Sequence, residues 1–508
     1  MLSQAEAPRD TAPRPDPPLD VNRHHLLLRG KKSRVQAFYD QLGEDWEAWV
    51  ARSRYYHGEL QHLLHLCVPQ GARVLDVGCG NGDHLAALRP SLGVGVDLSE
   101  GMLRLAERKH PDLTLFHQDA ETLSLPAFEV RGEEGGFDYV TMVNVVGEMA
   151  DVLRSLKRLR PLVRPDTRLV IVYYNHLWEP LVNPAARLGL KLANPTQNWL
   201  SLEDLRGFLH LAGFEVVKSR ARMPCPKYIP GVAPLLNGVV GRLPLMQRLG
   251  FIHYVVARPD MPLPYPPRRY SCTVVVPCKN EEGNVREVAA RVPRMGSGTE
   301  IIFVDDKSTD ATASCVRELM REQGDRPIRL VEGPGIGKGA AVRAGLEYAE
   351  GDVLMILDAD MTVMPEDLPV FFDAITENKG EFINGSRLVY PLSRDAMRSA
   401  NHVGNKLFAF LFSFLLEQPI KDTLCGTKVV MRKNYRRILA MRDYFGGIDH
   451  WGDYDWIFGA AKSNLKIIDL PIHYVERTAG VTKMTKRFRN ALIMLRMCWV
   501  ALRKLKMA

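Results

Sequence analysis

Two apolar runs in the second half of the sequence end in acidic residues. "EIIFVDD" ends on Asp305 and Asp306, and "VLMILDAD" ends on Asp358 and Asp360. Two carboxylates two residues apart at a strand end cannot both enter a core without a large penalty. A divalent cation with oxygen ligands removes their repulsion, and a diphosphate can complete its coordination shell. We therefore predict that Asp358 and Asp360 bind Mg2+ or Mn2+ beside a nucleotide diphosphate, and that Asp305 suits its base and ribose.

A glycine-rich stretch, "GPGIGKGAAVRAG", lies between these two acidic strand ends and supplies Lys338. It is not a Walker A loop, because the required Gly-Lys-Ser/Thr sequence with its lead spacing does not occur. We predict that Lys338 belongs to the same nucleotide-binding site.

The first half contains a second glycine-rich turn, in "RVLDVGCGNGDHLAAL". The β-branched residues predict a strand over Arg73–Val77, followed by Gly78, Gly80 and Gly82 and then by a helix that begins at Asp83. Glycines at this place let the backbone approach a ligand closely at a helix N-terminus.

The next two predicted strands, "GVGVD" and "LTLFH", are followed by Asp97 and Asp119. A carboxylate at Asp97 can accept both hydroxyls of a ribose, and Asp119 is placed to reach an adenine amino group. A dinucleotide fingerprint needs a third glycine where this sequence has Asp83, so NAD fits less well. The alternative is a doubly wound domain whose glycines serve only the turn.

The acid Asp76, the alternating glycines, Asp97 and Asp119 together resemble class I S-adenosylmethionine-dependent methyltransferases over residues 55–257. The resemblance implies that S-adenosyl-L-methionine is the cofactor, lined by Asp76, Gly78, Gly80, Asp97 and Asp119. On the acceptor side, His176 follows the strand "RLVIVYY" and is a candidate general base, although a structural role is the alternative. Glu148 follows the preceding strand.

The second half resembles inverting GT-A glycosyltransferases of family two, in particular the dolichyl-phosphate mannosyltransferase-like branch, over residues 271–483. The resemblance implies nucleotide-sugar contacts, a metal, a phosphate contact, two acceptor-side residues and a catalytic carboxylate. The nucleotide-sugar contacts would be Pro277, Asn280, Glu281 and Asp306, and the metal ligands would be Asp358 and Asp360. Arg387 would contact the phosphates, and Asp422 and Lys428 would lie on the acceptor side. The catalytic carboxylate would be Asp453 or Asp455. Relatives commonly have a Glu-Asp pair at the last site, where Gly452 replaces the glutamate.

The glycosyl acceptor is left open between a glycan hydroxyl and a polyprenyl phosphate. A hydroxyl needs a general base, whereas a polyprenyl phosphate is already ionised. "VERTAGVTKMT" resembles the polyprenyl-phosphate branch, which implies that Arg477 and Lys483 hold the lipid phosphate. The alternative is a surface loop with solvated charges.

Positioning these groups requires two α/β domains: a Rossmann-like methyltransferase sheet and then a GT-A nucleotide-diphospho-sugar transferase sheet, with a basic amphipathic C-terminal helix. A chain of 508 residues agrees with more than one core. We predict a disordered proline-rich tail at 1–34, a methyltransferase domain at 35–257 and a glycosyltransferase domain at 271–483. A proline-rich linker at 258–270 would span about 40 Å at about 3.1 Å per residue, and residues 484–508 would form the helix.

Charge is concentrated at the C-terminal end of the sequence. From Arg477 onward there are nine Lys and Arg and no acid, which is more than the whole net charge of +8. This asymmetry argues against nucleic acid as a partner. In the predicted helix, apolar residues recur every three or four positions, which suits an anionic membrane surface or packing on the protein's own sheet. They are Phe488, Leu492, Leu495, Trp499, Leu502 and Leu505.

Other features bear on the compartment. No apolar stretch reaches the roughly 18–20 residues that span a bilayer, and the eight cysteines are scattered without a Cys-x-x-Cys pair. We predict a cytoplasmic protein with reduced thiols, peripheral on the inner face of the membrane. The sequence as a whole predicts a bifunctional enzyme that transfers a sugar and a methyl group. The alternative is a glycosyltransferase whose first domain only binds a ligand or partner.

Overall fold

The structure is a computed structural model, and it describes residues 21–43, 45–131, 135–187, 192, 197–243, 246–322, 326–390, 399–446, 452–475 and 487–507. The predicted Arg477 and Lys483 and the stretch 1–20 of the predicted tail lie outside the described residues. Within them, the chain forms two mixed seven-stranded sheets.

The first sheet has the strand order β3-β2-β1-β4-β5-β7-β6. Strands β1 to β5 are parallel neighbours, whereas β7 runs antiparallel to β5 and β6. The carboxyl ends of β1 to β4 therefore meet at one edge, which is where open α/β sheets bind ligands. The strands are β1 Arg73–Val77, β2 Leu92–Asp97, β3 Thr114–His117, β4 Phe137–Val143, β5 Val163–Tyr174, β6 Phe214–Arg222 and β7 Ile252–Pro259.

Helices cover both faces of this sheet. Each face buries its own apolar cluster, as expected for a largely parallel sheet. The helices are α1 Val21–Leu42, α2 Asp45–Arg52, α3 Arg54–Cys67, α4 Asp83–Ala87, α5 Glu100–Lys109, α6 Val152–Arg158, α7 Glu179–Arg187, α8 Leu202–Leu211 and α9 Val232–Gly238.

The second sheet has the order β10-β9-β8-β11-β13-β12-β14, with β13 antiparallel to both of its neighbours. Its strands are β8 Cys272–Cys278, β9 Thr299–Asp305, β10 Ile328–Glu332, β11 Val353–Ile356, β12 Phe382–Ser386, β13 Lys428–Met431 and β14 Ile467–Pro471. The helices are α10 Val285–Arg291, α11 Thr312–Arg321, α12 Lys338–Glu347, α13 Leu368–Thr376, α14 Ser399–Leu416, α15 Arg432–Ala440, α16 Arg442–Phe445, α17 Asp453–Lys462 and α18 Arg487–Ala501. The predicted fold class, one α/β sheet after another, is confirmed for both sheets.

Two predicted segment boundaries are wrong. Residues 21–34 were assigned to a disordered tail, but they form the first part of α1, which packs over the first sheet. The predicted linker starts at Arg258, yet β7 continues to Pro259 and Arg258 is only 1% exposed. Polar residues in these two segments, such as Lys32 and Arg258, form hydrogen bonds with residues far away in the chain. A local sequence pattern does not show such contacts.

The last helix buries a different side from the predicted one. Met494, Met497, Cys498 and Ala501 are buried in the core of the second domain, where α18 meets α14. From the predicted stripe, Leu492, Leu495 and Trp499 are exposed, whereas Leu502 and Leu505 pack partly against that core. The chain continues from α18 as a π-helical turn, Leu502–Met507.

The two domains are joined by buried polar contacts. The Arg168 guanidinium donates to both carboxylate oxygens of Glu381, at 2.7 and 2.6 Å. Both side chains are buried, with exposed fractions of 0% and 6%. Arg258 donates to Asn378, and Asn464 donates to the backbone carbonyl of Cys67. On the second sheet, the contact residues precede β12 and β14. On the first sheet, Arg168 and Arg258 pair with residues near the starts of β4 and β6. The domain contact therefore lies away from the carboxyl edges of both sheets.

A second group of charges joins the domains beside α14. The Glu417 carboxylate accepts from Arg222 and contacts the Arg220 guanidinium and the Lys506 ammonium. Burial alone would raise the pKa of Glu417, but Lys506 and the two arginines hold it well below its ordinary value. All eight cysteines are free thiols, and none of the described helices has the length and apolar character needed to cross a bilayer.

Candidate active sites

The turn after β1 forms the floor of a cavity at the carboxyl edge of the first sheet. Gly78 has φ +77°, and a Cβ added there would lie 2.7 Å from the Val145 Cβ, so only glycine fits without movement. The chain then enters α4 at Asp83. The packing of this turn against Val145 therefore explains the glycine, and the close approach of its backbone to a ligand stays a prediction.

Asp97, at the end of β2, lines this cavity. Its carboxylate accepts the backbone N–H groups of Gly80 (2.8 Å) and Ser99 (2.9 Å), which fix its orientation. Burial raises the pKa of Asp97 above its ordinary value, although the backbone donors act in the opposite direction.

Helix α1 closes one side of the cavity. The Lys32 ammonium lies 2.6 Å from both the Asp119 and the Glu121 carboxylates. The Tyr39 hydroxyl donates to Glu148 at 2.6 Å. Because α1 begins at residue 21 and contacts residues some ninety positions later, no short motif could have indicated this wall.

The cavity brings together most of the predicted cofactor residues, namely Gly78, Gly80, Asp97 and Asp119. Asp76 is not among its lining residues. It is buried and accepts the Thr141 hydroxyl at 2.7 Å, and burial raises its pKa to about 7 despite this hydrogen bond. Asp76 therefore contacts the neighbouring strand β4 and is not among the residues that line the cavity.

His176 is not among the residues that line this cavity, and its role as a candidate general base stays a prediction. It starts the 3-10 turn after β5 and is near His253, whose pKa burial lowers to about 4. Residues that the sequence analysis did not assign to the site do line it: Tyr39, Trp46, His57, Asn144 and Glu148. Of these residues, only Glu148 could have been found from the sequence, because it follows the predicted strand β4.

The carboxyl edge of the second sheet carries three ion pairs. Lys338 lies 2.5 Å from Asp358, and Lys428 lies 3.1 Å from Asp453. Arg387 contacts Asp422 through two hydrogen bonds of 2.7 and 2.8 Å. Predicted residues from five separate segments are thus assembled into one charged cluster.

Two of these pairs favour their ionised forms. Burial alone would lower the pKa of Lys338, but the Asp358 and Asp453 carboxylates raise it above its ordinary value. Burial alone would raise the pKa of Asp422, yet the Arg387 guanidinium and its hydrogen bonds hold it at about 2. These two pairs therefore stay charged at neutral pH, which suits the binding of a charged diphosphate.

The donor set of the predicted metal site fits a divalent cation that is shared with a diphosphate. Asp358 and Asp360 lie two residues apart after β11, and Asp360 accepts the Thr362 hydroxyl and N–H. No cluster of three or more His, Cys, Asp or Glu is found among the described residues. Mg2+ is usually held by one or two carboxylates and completed by substrate phosphates, which is what two aspartates here can offer.

The predicted nucleotide residues lie on adjacent loops. Asp306 is buried and accepts the backbone N–H groups of Gly335 and Gly337, so it positions the glycine loop. Asn280 accepts from Thr309, which ties the loop after β8 to the loop after β9. Pro277 is the second-to-last residue of β8, and Glu281 lies in the loop that follows this strand. Asp305 accepts the Ser308 N–H at 3.2 Å.

The two candidate catalytic aspartates differ in their surroundings. Asp453, the first residue of α17, faces Lys428 and belongs to the cluster. Asp455 lies 3.7 Å from Arg442 instead. Gly452 has φ +80°, and a Cβ there would lie 2.6 Å from the Gly339 Cα, so the glutamate that relatives commonly have cannot be accommodated without movement.

Comparison with known proteins agrees with this geometry. The family model described as glycosyl transferase family 2 matches residues 273–439. A dolichyl-phosphate hexose transferase of Haloferax volcanii is 30% identical over 211 residues, which are 42% of this chain and 85% of that protein. The chain belongs to glycosyl transferase family 2.

Two further relatives of this family 2 member show how far the similarity extends. A polyprenol monophosphomannose synthase of Mycolicibacterium smegmatis is 28% identical over 225 residues, or 42% of this chain and 80% of that protein. An undecaprenyl-phosphate 4-deoxy-4-formamido-L-arabinose transferase of Edwardsiella ictaluri is 33% identical over 106 residues, which are 20% of this chain and only 33% of the relative.

The family 2 domain is preceded by a methyltransferase domain. A family model with that description matches residues 51–219. Among solved structures, a SAM-dependent methyltransferase of Thermotoga maritima is 18% identical, with a TM-score of 0.35, over 45% of this chain and 100% of that one. The predicted resemblance, a methyltransferase domain followed by a family-two glycosyltransferase domain, is confirmed.

Gly426 gives a test of the packing in the glycosyltransferase site. A Cβ at this position would lie 2.5 Å from the Lys338 Nζ and closer still to the Asp358 carboxylate. Gly426→Ala is therefore expected to separate this pair and to lower the rate of sugar transfer about ten- to a hundredfold, the equivalent of 1–3 kcal/mol of overpacking.

Nucleotide release from the donor sugar would measure this effect. Gly298→Ala is the matched control, because an added Cβ there meets no atom within 4 Å. Equal rates in the two variants would contradict the assignment of this packing to the active site.

Proposed function

We propose that the glycosyltransferase domain transfers a sugar, with inversion, from a nucleotide-diphosphate sugar to a polyprenyl phosphate or a glycan hydroxyl. The observation that carries this proposal is the charged cluster of Lys338–Asp358, Lys428–Asp453 and Arg387–Asp422 at one sheet edge. Fixed cations stabilise a leaving diphosphate, and in-line displacement needs the acceptor on the opposite side of the sugar.

We assign the donor side to Pro277, Asn280, Glu281, Asp305, Asp306 and Lys338, together with Asp358. Asp358 and Asp360 would hold Mg2+ or Mn2+, which supplies charge neutralisation on the leaving diphosphate when bound. Lys338 would contribute a positive charge beside the same phosphates, while its partner Asp358 would also contact the cation. Support comes from the chemistry of the donor set and from the position of the two carboxylates after a parallel strand.

We assign the acceptor side to Asp422, Lys428 and Asp453, with Arg387 near the phosphates. A polyprenyl phosphate is favoured as acceptor, because the relatives named above are named for dolichyl, polyprenol or undecaprenyl phosphate chemistry. Arg477 and Lys483 remain the proposed contacts of the lipid phosphate. If the acceptor is a hydroxyl, the base would be Asp453 rather than Asp455, since Lys428 places Asp453 in the cluster.

A panel of nucleotide sugars tests the glycosyl transfer. The full chain is incubated with each donor, with Mn2+ or Mg2+, and with either a short polyprenyl phosphate or an alkyl glycoside. We expect nucleoside diphosphate release with one class of donor and with the polyprenyl phosphate. Absence of nucleoside diphosphate release with every donor in the panel would argue against the proposal.

We propose that the first domain binds S-adenosyl-L-methionine and transfers its methyl group to an acceptor. Asp97 and Asp119 would contact the ribose and adenine, while Gly78 and Gly80 let the backbone approach the cofactor. Glu148, held by Tyr39 across the cavity, is a better placed proton acceptor than His176. The alternative of a domain that binds without turnover predicts cofactor affinity without methyl transfer.

Asp97→Ala is expected to weaken S-adenosylmethionine binding about ten- to a hundredfold, because a charge-assisted hydrogen bond contributes about 1.5–3 kcal/mol. Isothermal titration of the parent and the variant would measure this change. Asp112→Ala is the control, since this exposed residue does not line the cavity. An unchanged dissociation constant in Asp97→Ala would remove Asp97 from the site.

We also propose that the protein lies on the inner face of an anionic membrane through a surface that we call the C-terminal face. It consists of exposed apolar residues on α14 and α18: Leu407, Phe410, Leu492, Leu495 and Trp499. Arg496 and Arg503 are exposed nearby on the same helical segment. Apolar side chains with flanking cations suit an anionic leaflet.

A further inference from the structure

A second exposed apolar surface lies on the methyltransferase domain, and we call it the apolar face. Its members come from the turn after β5, from α7, and from the segment around α9: Leu177, Leu181, Tyr228, Ile229, Val232, Leu235, Val239, Leu243 and Leu249. Leu181 is 63% exposed and Leu235 is 55% exposed. Single exposed apolar residues are ordinary, but an extended group of them marks a surface that binds something.

Hydrogen bonds join the turn after β5 to the segment that precedes β7. The Trp178 indole donates to the Leu249 carbonyl at 3.0 Å, and Asn175 donates to the carbonyls of Arg248 and Gly250. Val232, Leu235, Val239 and Leu243 follow each other at spacings of three and four. They lie on the outer side of α9 and the turn after it, while Ala233 and Asn237 are buried.

The charge of the segment around α9 favours an anionic partner, whereas Glu179 lies between Leu177 and Leu181 on the other part of the face. From residue 223 to residue 259 the sequence contains Lys227, Arg242, Arg248 and Arg258 and no acid. Lys227 and Arg248 are exposed next to members of the apolar face, whereas Arg258 points into the domain contact. Exposed cations are attracted to the negative surface of an anionic leaflet.

The apolar face adjoins the same seam as the C-terminal face. Arg220 donates to the Phe414 carbonyl of α14 at 2.6 Å, and Arg222 contacts Glu417. The chain leaves this seam at Arg222 and is fixed to α9 three residues later, where Asn237 accepts the Cys225 N–H. Phe410 lies one helical turn before Phe414. Two basic apolar faces on either side of a fixed seam suit an extended partner rather than a small one.

The apolar face also adjoins the cofactor cavity. Tyr55 of α3 packs against Tyr228, with ring centroids 5.5 Å apart, and its hydroxyl accepts from Asn237. Two residues later the same helix contributes His57 to the cavity lining. Helix α3 therefore contacts both the apolar face and the proposed cofactor cavity, through side chains that point to different sides of the helix.

We propose that the apolar face docks on an anionic lipid bilayer, so that the methyltransferase domain has a membrane contact of its own. Its acceptor is then a lipid-linked molecule presented at the bilayer surface, a conclusion that rests on the methyl transfer proposed above. The docking itself does not depend on that activity.

Vesicle binding by the full chain tests the docking. We compare the parent with Leu235→Glu/Val239→Glu on vesicles of phosphatidylcholine containing about one third phosphatidylglycerol, and on phosphatidylcholine alone. The partition coefficient of the double variant on the anionic vesicles is expected to fall tenfold or more. Two apolar side chains that would be buried in the bilayer are replaced by two negative charges, which the leaflet repels. The parent should bind neutral vesicles much more weakly than anionic ones.

Two controls keep the result specific. Leu211→Glu/Val370→Glu changes residues that are equally exposed but lie on α8 and α13, and it should bind as the parent does. Leu495→Glu/Trp499→Glu disables the C-terminal face, and combining it with Leu235→Glu/Val239→Glu should abolish binding. S-adenosylmethionine binding by titration should stay unchanged in every variant, which shows that the first domain is folded.

Three outcomes would overturn the proposal. Vesicle binding of Leu235→Glu/Val239→Glu equal to that of the parent means that the bilayer does not cover this face. Equal binding of the parent to neutral and anionic vesicles removes the electrostatic part of the argument. A change from dimer to monomer in this variant, with unchanged vesicle binding, identifies a second copy of the chain as the occupant. Failure of the parent to bind S-adenosylmethionine would refute the proposed cofactor without affecting any of these outcomes.

Discussion

Asp360→Asn is expected to lower the rate of sugar transfer about a hundred- to a thousandfold, the range found when one electrostatic contact to developing charge is removed. The change removes one of the two carboxylates that would hold the cation with the donor diphosphate. Asparagine keeps a side-chain oxygen that can accept from Thr362, so the turn after β11 should remain intact. Steady-state release of nucleoside diphosphate at a series of Mn2+ concentrations would measure both the rate and the metal requirement.

Asp373→Asn is the matched control for this experiment. Asp373 is exposed on α13, away from the charged cluster, and its replacement should change neither quantity. Titration of S-adenosylmethionine should give the same affinity in the parent and in both variants, because the two sites lie on different sheets. A normal rate in Asp360→Asn with an unaltered Mn2+ dependence would contradict the proposed metal site.

Arg168→Met is expected to lower the free energy of unfolding by about 3–5 kcal/mol, because it leaves the Glu381 carboxylate buried without its main partner. Arg168 is fully buried and also donates to the Asn464 carbonyl across the domain contact. The loss should be visible as a lower urea midpoint. Since two domains need not unfold together, it should also be visible as a separation of one unfolding transition into two.

The surroundings of this pair supply a control and a double-mutant cycle. Arg164→Met removes an arginine from the same strand whose partners, Asp138 and Asp166, are partly exposed, and it should change the midpoint much less. Arg168→Met/Glu381→Gln removes both charges and should recover part of the loss. Equal effects of Arg164→Met and Arg168→Met would show that the buried pair does not hold the domains together.

The same pair predicts a pH dependence. Burial alone would raise the pKa of Glu381, but the guanidinium groups of Arg168 and Arg258 lower it below its ordinary value. Its contribution to stability is therefore fully present above the unfolded-state pKa and is lost as the pH falls through the folded-state pKa. Unfolding midpoints measured from neutral pH into acid should fall in the parent, and the fall should be shallower in Arg168→Met/Glu381→Gln.

The sequence by itself determined the two sheets and the loops that follow their strands. Glycine after β1, Asp97 after β2 and the Asp358–Asp360 pair after β11 are local signals, because strand, turn and helix propensities act over a few residues. The carboxyl ends of parallel strands meet at one edge, so residues placed there by local pattern come together in space. This is why most of both candidate sites could be predicted without a structure.

Only the tertiary structure decided which polar residues become buried and which face of a helix is covered. Lys32 reaches Asp119, and Arg168 reaches Glu381 over more than two hundred residues, and no spacing along the chain encodes such contacts. In α18 both sides are apolar, so periodicity could not choose between them, and packing against α14 buried Met494 and Met497 while leaving Trp499 exposed. Local pattern states what a segment can bury, whereas the shape of its neighbours determines what it does bury.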